Sequence, residues 1–175
     1  AAIIISHAHP DHFGCLEKVR EEIPVYMNAG TERILQGPAA STPNNRWLSG
    51  WLRDRRENGT LRIFEDWHSV EIGAFAILPV PVDHSVPFAS AFNITVSGRR
   101  LFYTGDLRAH GRCIGKWRNL LSFVREHRPE VIICEGTTLG REAGALPRTE
   151  TEIAQEMTAA MRETTGLVLA QFSAA

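Results

Sequence analysis

Hydrophobic positions along the chain switch between short continuous runs and helical spacing, and each switch falls at a cluster of polar or turn-forming residues. The opening run, "AAIIIS", reads as a buried strand. "HFGCLEKVREEI" then reads as a helix whose Phe13, Leu16, Val19 and Ile23 recur at helical spacing. A short strand, "PVYMN", precedes a short helix, "TERILQ", for which Thr31 is a suitable N-cap. The Pro/Gly/Ser/Asn-rich link "GPAASTPNN" leads into "RWLSGWLRDRRENG". From Leu61 the pattern turns to strands: "LRIFED", "SVEIG", "FAILPVPV", then "FNITV" and "RLFYTGD", the last two joined through Ser97 and Gly98, a good hairpin pair. An amphipathic helix, "NLLSFVREH", is halted by Pro129 and followed by a buried strand, "EVIICEG". Thr149 and Glu152 form a capping-box pair at the head of "ETEIAQEMTAAMRET", Gly166 supplies its stop, and "LVLAQFSA" is a last strand-like run. No internal repeat is visible, and this order of elements predicts a layered α/β domain.

Composition sets bounds rather than a function. With 175 residues, 43% hydrophobic and 22% charged, the chain can enclose a sizeable core in one domain, which excludes a disordered protein. Its longest apolar runs, such as "VIIC" and "LVLA", fall far short of the roughly 20 residues that a membrane-spanning helix needs, and no signal peptide opens it. Cys15, Cys113 and Cys134 are widely spaced with no CxxC pair, which suggests neither a disulfide framework nor a cysteine zinc site; buried thiols in a reducing cytoplasm are the expectation. A net charge of −1 gives no global attraction to polyanions, so nucleic-acid contact would need a local basic surface. With no initiator Met and strand-like runs at both ends, the sequence reads as an internal segment of a longer protein.

The densest chemistry lies in "SHAHPDHFG", Ser6 to Gly14, where a strand hands over to a helix, the place where open α/β sheets usually carry their sites. In an extended turn His7 and His9 stand two apart, so both imidazoles point the same way and can grip one ion. Asp11 and His12 follow at the turn into the helix and offer a carboxylate and an imidazole to a second ion. Two further ligand types sit in matching contexts: His84 ends the strand-like run in "VPVDHSVPFASAF", and Asp106 in "LFYTGDLR" follows an apolar strand and a flexible glycine. Either alone would be an ordinary cap or turn residue; together with the His-rich turn they read as ligands, with Asp106 well placed to bridge two metals. This mix of nitrogen and oxygen donors suits Zn²⁺, with Mn²⁺ or Fe²⁺ as alternatives.

HxHxDH followed by a later His and a later Asp resembles the metallo-β-lactamase superfamily, and the resemblance covers nearly the whole chain. It implies an αββα sandwich in which His7, His9 and His84 hold one metal, Asp11 and His12 the other, and Asp106 bridges them. The family's final His has no counterpart: only His110 and His127 follow Asp106, and neither is read as a ligand. In the compact hydrolase branches that His follows fairly soon, whereas in the β-CASP nucleases an inserted domain intervenes. "EGTTLGRE" (Glu135 to Glu142), "TETEI" and "LVLAQFSA" are similar to the crossing into the β-CASP region of ribonuclease J and its relatives, with Gly136 departing from the more usual Glu-Ser-Thr. The resemblance thus implies a partial metallo-β-lactamase-fold domain over residues 1–148, without its N-terminal strands, and the truncated start of a β-CASP-like domain over 149–175.

The activity so implied is that of a ribonuclease J-like, zinc-dependent nuclease, cleaving RNA phosphodiester bonds with a hydroxide activated by two zinc ions. Asp11 would accept a hydrogen bond from the nucleophile or act as base. RNA is the implied partner, with DNA as an alternative, and a homo-oligomeric full-length protein is compatible with it. A hydrolase of a small ester, thioester or lactam is the second reading. A non-catalytic RNA-processing scaffold is the third, and the retained ligand set argues against it. One ligand short, the isolated segment is expected to bind metal weakly and turn over little.

Several other residues carry two readings. Arg46, Arg53, Arg55, Arg56 and Arg62 lie beside Trp47 and Trp51, as in a backbone-tracking surface on which bases stack. However, Trp47, Leu48, Trp51 and Leu52 recur at helical spacing, and a helix with a core-facing stripe and a solvated basic face is preferred. Arg108 and Arg112 either meet phosphates or form structural salt bridges. Asp83 either accepts an imidazole N–H, fixing a ligand's tautomer, or is a solvated surface residue. Ser173 ends the last run, where the nuclease relatives carry phosphate-contacting residues.

Overall fold

A computed structural model describes residues 1–39, 41–137, 139–140 and 148–170. Strands β1 (Ile3–Ile4), β2 (Val25–Asn28) and β3 (Leu61–Phe64) pair in parallel in that order. In a second sheet β4 (Val70–Ile72), β5 (Phe75–Pro81), β6 (Ser90–Val96) and β7 (Arg99–Tyr103) form an antiparallel meander, to which β8 (Val131–Ile133) adds in parallel beside β7. The β6–β7 hairpin turns through Ser97 at φ +49° and Gly98 at φ +77°, the left-handed pair that a two-residue connection between twisted strands requires. The α-helices are α1 (Pro10–Phe13), α2 (Ala29–Ile34), α3 (Trp47–Glu57), α4 (Ile114–His127) and α5 (Glu150–Glu163).

Strand alternation sends successive side chains into different layers. Val25 and Met27 of β2 point to Leu48 and Leu52 of α3, while Tyr26 between them points to the other sheet. There it joins Phe64, Ile77, Phe92 and Tyr103, with the Phe92 ring edge-on to Phe64 at 5.7 Å and stacked with Tyr103 at 6.4 Å. On the far face of the second sheet Val80, Ala91 and Phe102 pack against Leu120 and Phe123 of α4. The layer order is therefore helix, sheet, sheet, helix, the expected αββα sandwich. Removing a ring from its middle, as in Phe92→Ala, would cost about 3–5 kcal/mol. Among the described residues no helix is long and apolar enough to cross a membrane.

Four local expectations give way to tertiary contacts. The helix expected across "HFGCLEKVREEI" is instead α1 plus a single 3₁₀ turn, Leu16–Lys18. The buried Arg55 guanidinium collects the carbonyls of Val19, Arg20, Glu21 and Ile23 at 2.6–2.9 Å, occupying groups that a continuous helix would use internally. α2 is capped by Asn28, whose Oδ1 accepts from the Gly30 N–H at 2.8 Å; Thr31 lies inside the helix and donates to the Phe88 carbonyl. β8 is half exposed rather than buried, because it lies at a sheet edge and pairs on one side only. Leu167–Ala170 of the last apolar run form no strand, and 171–175 lie outside the described residues.

The three cysteines are exposed rather than buried, since each sits at an element boundary or an edge instead of in a core layer. α3 matches the preferred reading, with Leu48 and Leu52 buried and Trp47 and Trp51 partly so. Arg55 belongs to the interior and not to a basic surface. The capping box at α5 is formed as expected, with Thr149 and Glu152 bonded reciprocally.

Candidate metal centre

Both sheets deliver ligand-type side chains to one place. Beyond β1 the Ser6 carbonyl accepts from the Ser90 N–H at 3.0 Å, joining the first sheet to β6 of the second. Gly105, at φ +57°, permits the close approach of the β7 end: a Cβ there would stand 3.2 Å from the Ser6 Cβ. His7 and His9 lie in the loop after β1. His9 is the N-cap residue of α1 and Pro10 its first residue, so a pre-set turn carries Asp11 and His12. His84 stands beyond the end of β5, and Asp106 beyond the end of β7.

His7, His9, His84 and Asp106 converge as one group and Asp11, His12 and Asp106 as another, with the donor atoms of each within 4.8 Å of one another. His9 Nδ1 lies 3.0 Å from Nε2 of both His7 and His84. Asp106 Oδ2 is 3.7 Å from His7 Nε2 and 3.6 Å from His84 Nε2, while its Oδ1 is 3.4 Å from His12 Nε2. Asp11 Oδ2 is 3.6 Å from His12 Nε2. Donors held 2.0–2.1 Å from a tetrahedral Zn²⁺ stand about 3.3 Å apart, so these spacings need little adjustment. Asp106 thus turns one carboxylate oxygen to each group.

The electrostatics fit a cation. Burial, reinforced by the charges of His12, His84 and His9, lowers His7 from 6.5 to about 3. His9 and His84 are also lowered, chiefly by burial. Neutral imidazole is the form that ligates a metal, so the three rings are held ready at neutral pH. The outward nitrogens of His7, His9 and His12 are engaged too. Ser6 Oγ lies 3.0 Å from His7 Nδ1 and 3.3 Å from His12 Nδ1, and Ser85 Oγ lies 3.3 Å from His9 Nε2. Hydrogen bonds there leave Nε2 of His7 and His12, and Nδ1 of His9, facing the convergence points. Sequence reasoning missed both serines; the only signal is that each flanks a ligand-type histidine.

Other candidates fall elsewhere. Asp83 does not meet an imidazole: its Oδ2 accepts from the Cys113 N–H at 3.1 Å and its Oδ1 lies 3.5 Å from Arg108 Nη2. The chain turns between Asp83 and His84 so that the carboxylate faces the loop after Asp106. Arg108 also pairs with Glu150 at 2.7 Å, the structural reading of that arginine. His127 stacks on Phe123 at 3.8 Å, and neither it nor His110 belongs to either group. Ser173 lies outside the described residues.

Comparison with known proteins agrees with this geometry. A family described as "Beta-lactamase superfamily domain" matches residues 1–164. Ribonuclease J of Sinorhizobium meliloti is 30% identical over 107 residues, 60% of this chain and 17% of that protein. The probable metallo-hydrolase YflN of Bacillus subtilis is 26% identical over 156 residues, 86% of this chain and 56% of that protein. The chain therefore spans from under a fifth to little more than half of these curated relatives. A crystal structure of a protein of unknown function from Enterococcus faecalis V583 shares the fold, with a TM-score of 0.70 at 23% identity over 93% of this chain and 39% of that one. Since the family match runs through every residue of both donor groups, the chain belongs to the beta-lactamase superfamily and carries its metallo-β-lactamase fold.

Proposed function

We propose that this chain is the metallo-β-lactamase-fold part of a ribonuclease J-like nuclease that hydrolyses RNA phosphodiester bonds. In this reading His7, His9 and His84 hold one zinc ion, Asp11 and His12 a second, and Asp106 both. The observation that carries it is the sharing of Asp106 between two adjoining donor groups. Similarity to Ribonuclease J over 107 residues supports the choice of RNA. Bound divalent ions would supply Lewis acidity, making water a stronger acid and offsetting charge on a phosphoryl oxygen. The chain's own residues hold the geometry: neutral imidazoles on one side, His7 buried and His9 and His84 partly so, and on the other Asp11, whose side chain is 76% exposed and so the most open to substrate. Asp11 is assigned as the catalytic hydrogen-bond acceptor or base.

The same proposal takes residues 1–148 as the metallo-β-lactamase-fold domain and 149–175 as the start of a β-CASP-like domain. It takes the cytoplasm as the compartment and RNA as the partner, with DNA as the alternative. The test is metal content by elemental analysis of the full-length protein, with cleavage of a 5′-monophosphorylated RNA measured with and without chelator. Two metals per chain and chelator-sensitive cleavage are expected. Two metals with no cleavage would overturn the nuclease reading in favour of a hydrolase of a small ester, thioester or lactam. The match to the metallo-hydrolase YflN across 86% of the chain is the observation favouring that second reading.

A further inference from the structure

The loop after Asp106 is held from three sides. From β8's end, Glu135 Oε1 accepts from the Leu107 N–H at 2.6 Å. From β5's end, the Asp83 carbonyl accepts from the Arg108 N–H at 2.9 Å, and its carboxylate receives Arg108 Nη2 and the Cys113 N–H. Gly111 is needed inside this wrap, because a Cβ there would overlap the Asp83 carboxylate and Arg108 Nε. From α5, Glu150 accepts from Arg108 Nη1 at 2.7 Å and from the Arg112 N–H at 3.2 Å, while its own N–H donates to the His110 carbonyl at 2.9 Å. Arg108 is largely buried between the two carboxylates. Asp83 precedes His84 and Arg108 lies two residues past Asp106, so one guanidinium links two ligand-bearing strand ends to the head of α5.

We propose that Glu150 is a positioning residue for the metal centre, acting through Arg108: seating of α5 on the 107–113 loop sets the relative placement of His84 and Asp106. A planar guanidinium suits this role because it can face two carboxylates at once, which an ammonium on a flexible stem does less well. Partners hydrogen-bonded directly to ligands typically govern metal affinity by 10–100-fold, and Arg108 reaches His84 and Asp106 one link further out, through Asp83 and its own backbone. Glu150, a link beyond Arg108, acts at the lower end of that range. The inference rests on the metal-centre reading above.

The test uses Co²⁺ alone as the probe, titrated into the metal-free full-length protein and followed by its visible ligand-field bands. Glu150→Ala is expected to weaken Co²⁺ binding roughly 10-fold and Arg108→Lys by an intermediate factor. The Glu150→Ala/Arg108→Ala double variant should bind no more weakly than Arg108→Ala alone, the non-additivity expected of one linked unit. Glu156→Ala, which removes an acid on α5 paired with Arg148, should leave binding unchanged and controls for loosening of the helix. Far-ultraviolet circular dichroism melts of the metal-free variants separate loss of ligand geometry from loss of fold. Wild-type affinity in Glu150→Ala, or additive losses in the double variant, would overturn the positioning role while leaving the metal centre intact. Wild-type protein that takes up no Co²⁺ would overturn both.

Discussion

Nε2 of His84 stands 3.0 Å from Nδ1 of His9, although 75 positions separate them in the chain. Burial keeps both imidazoles neutral, so two ring nitrogens face each other beside the Asp106 carboxylate, an arrangement that a cation stabilises. A ligand present at 100 times its Kd adds about 2.7 kcal/mol of stability. For a chain of this size that is a rise of roughly 5–10 °C in Tm. Thermal melts of chelator-treated and Zn²⁺-loaded protein check it, with His84→Ala, which removes a donor from one of the two groups, expected to shrink the difference. Identical melts in the wild type would count against a metal centre.

Ser6 serves both donor groups through a single oxygen, 3.0 Å from His7 Nδ1 and 3.3 Å from His12 Nδ1. Ser6→Ala frees both rings to rotate or change tautomer, and should weaken metal binding about 10-fold. Ser6→Thr keeps the hydroxyl and should retain most of the affinity. Competition with a chromophoric chelator reads the effect, and equal affinity in Ser6→Ala would remove Ser6 from this role.

Among the described residues Arg55 is the largest fully buried side chain, and its guanidinium satisfies four backbone carbonyls. Arg55→Met would leave those oxygens without a donor and should destabilise the protein by about 3–5 kcal/mol, measured by urea unfolding. Arg55→Lys should recover only part of the loss, because an ammonium lacks the planar fork that reaches all four. A change below about 1 kcal/mol in Arg55→Met would show that water replaces the guanidinium there.

Asp66, between β3 and β4, accepts a hydrogen bond from Ser90 Oγ at 3.0 Å. Burial raises its carboxyl above the ordinary 3.8, against the hydrogen bonds of Ser90 and Asn28 and the charge of Lys116. The folded protein therefore keeps a proton that the unfolded chain releases. Stability from this group is fully present below pH 3.8 and is lost as pH rises through the raised value. Asp66→Asn keeps an oxygen for Ser90 and carries no such loss. The stability of the variant relative to wild type should therefore climb in urea titrations as pH rises from about 3.8 through the raised value. A pH-independent difference would show that Asp66 is ionised throughout.

The amino-acid sequence by itself determined what depends on neighbours along the chain. Strand and helix periods, the Ser97–Gly98 turn, the α5 capping box and the crowding of His7, His9, Asp11 and His12 all follow from local spacing. His84 and Asp106 were legible because each ends an apolar run, and strand ends in layered α/β folds meet at one edge. The tertiary structure alone decided contacts between distant segments. It placed Arg55 under the 19–23 carbonyls, which dissolved a helix that Phe13, Leu16, Val19 and Ile23 had predicted. It turned Asp83 away from the histidines toward Arg108, and it set one serine oxygen against two rings. Side-chain spacing specifies which face a residue takes, whereas the partner met on that face depends on how whole layers pack, and no local pattern encodes that.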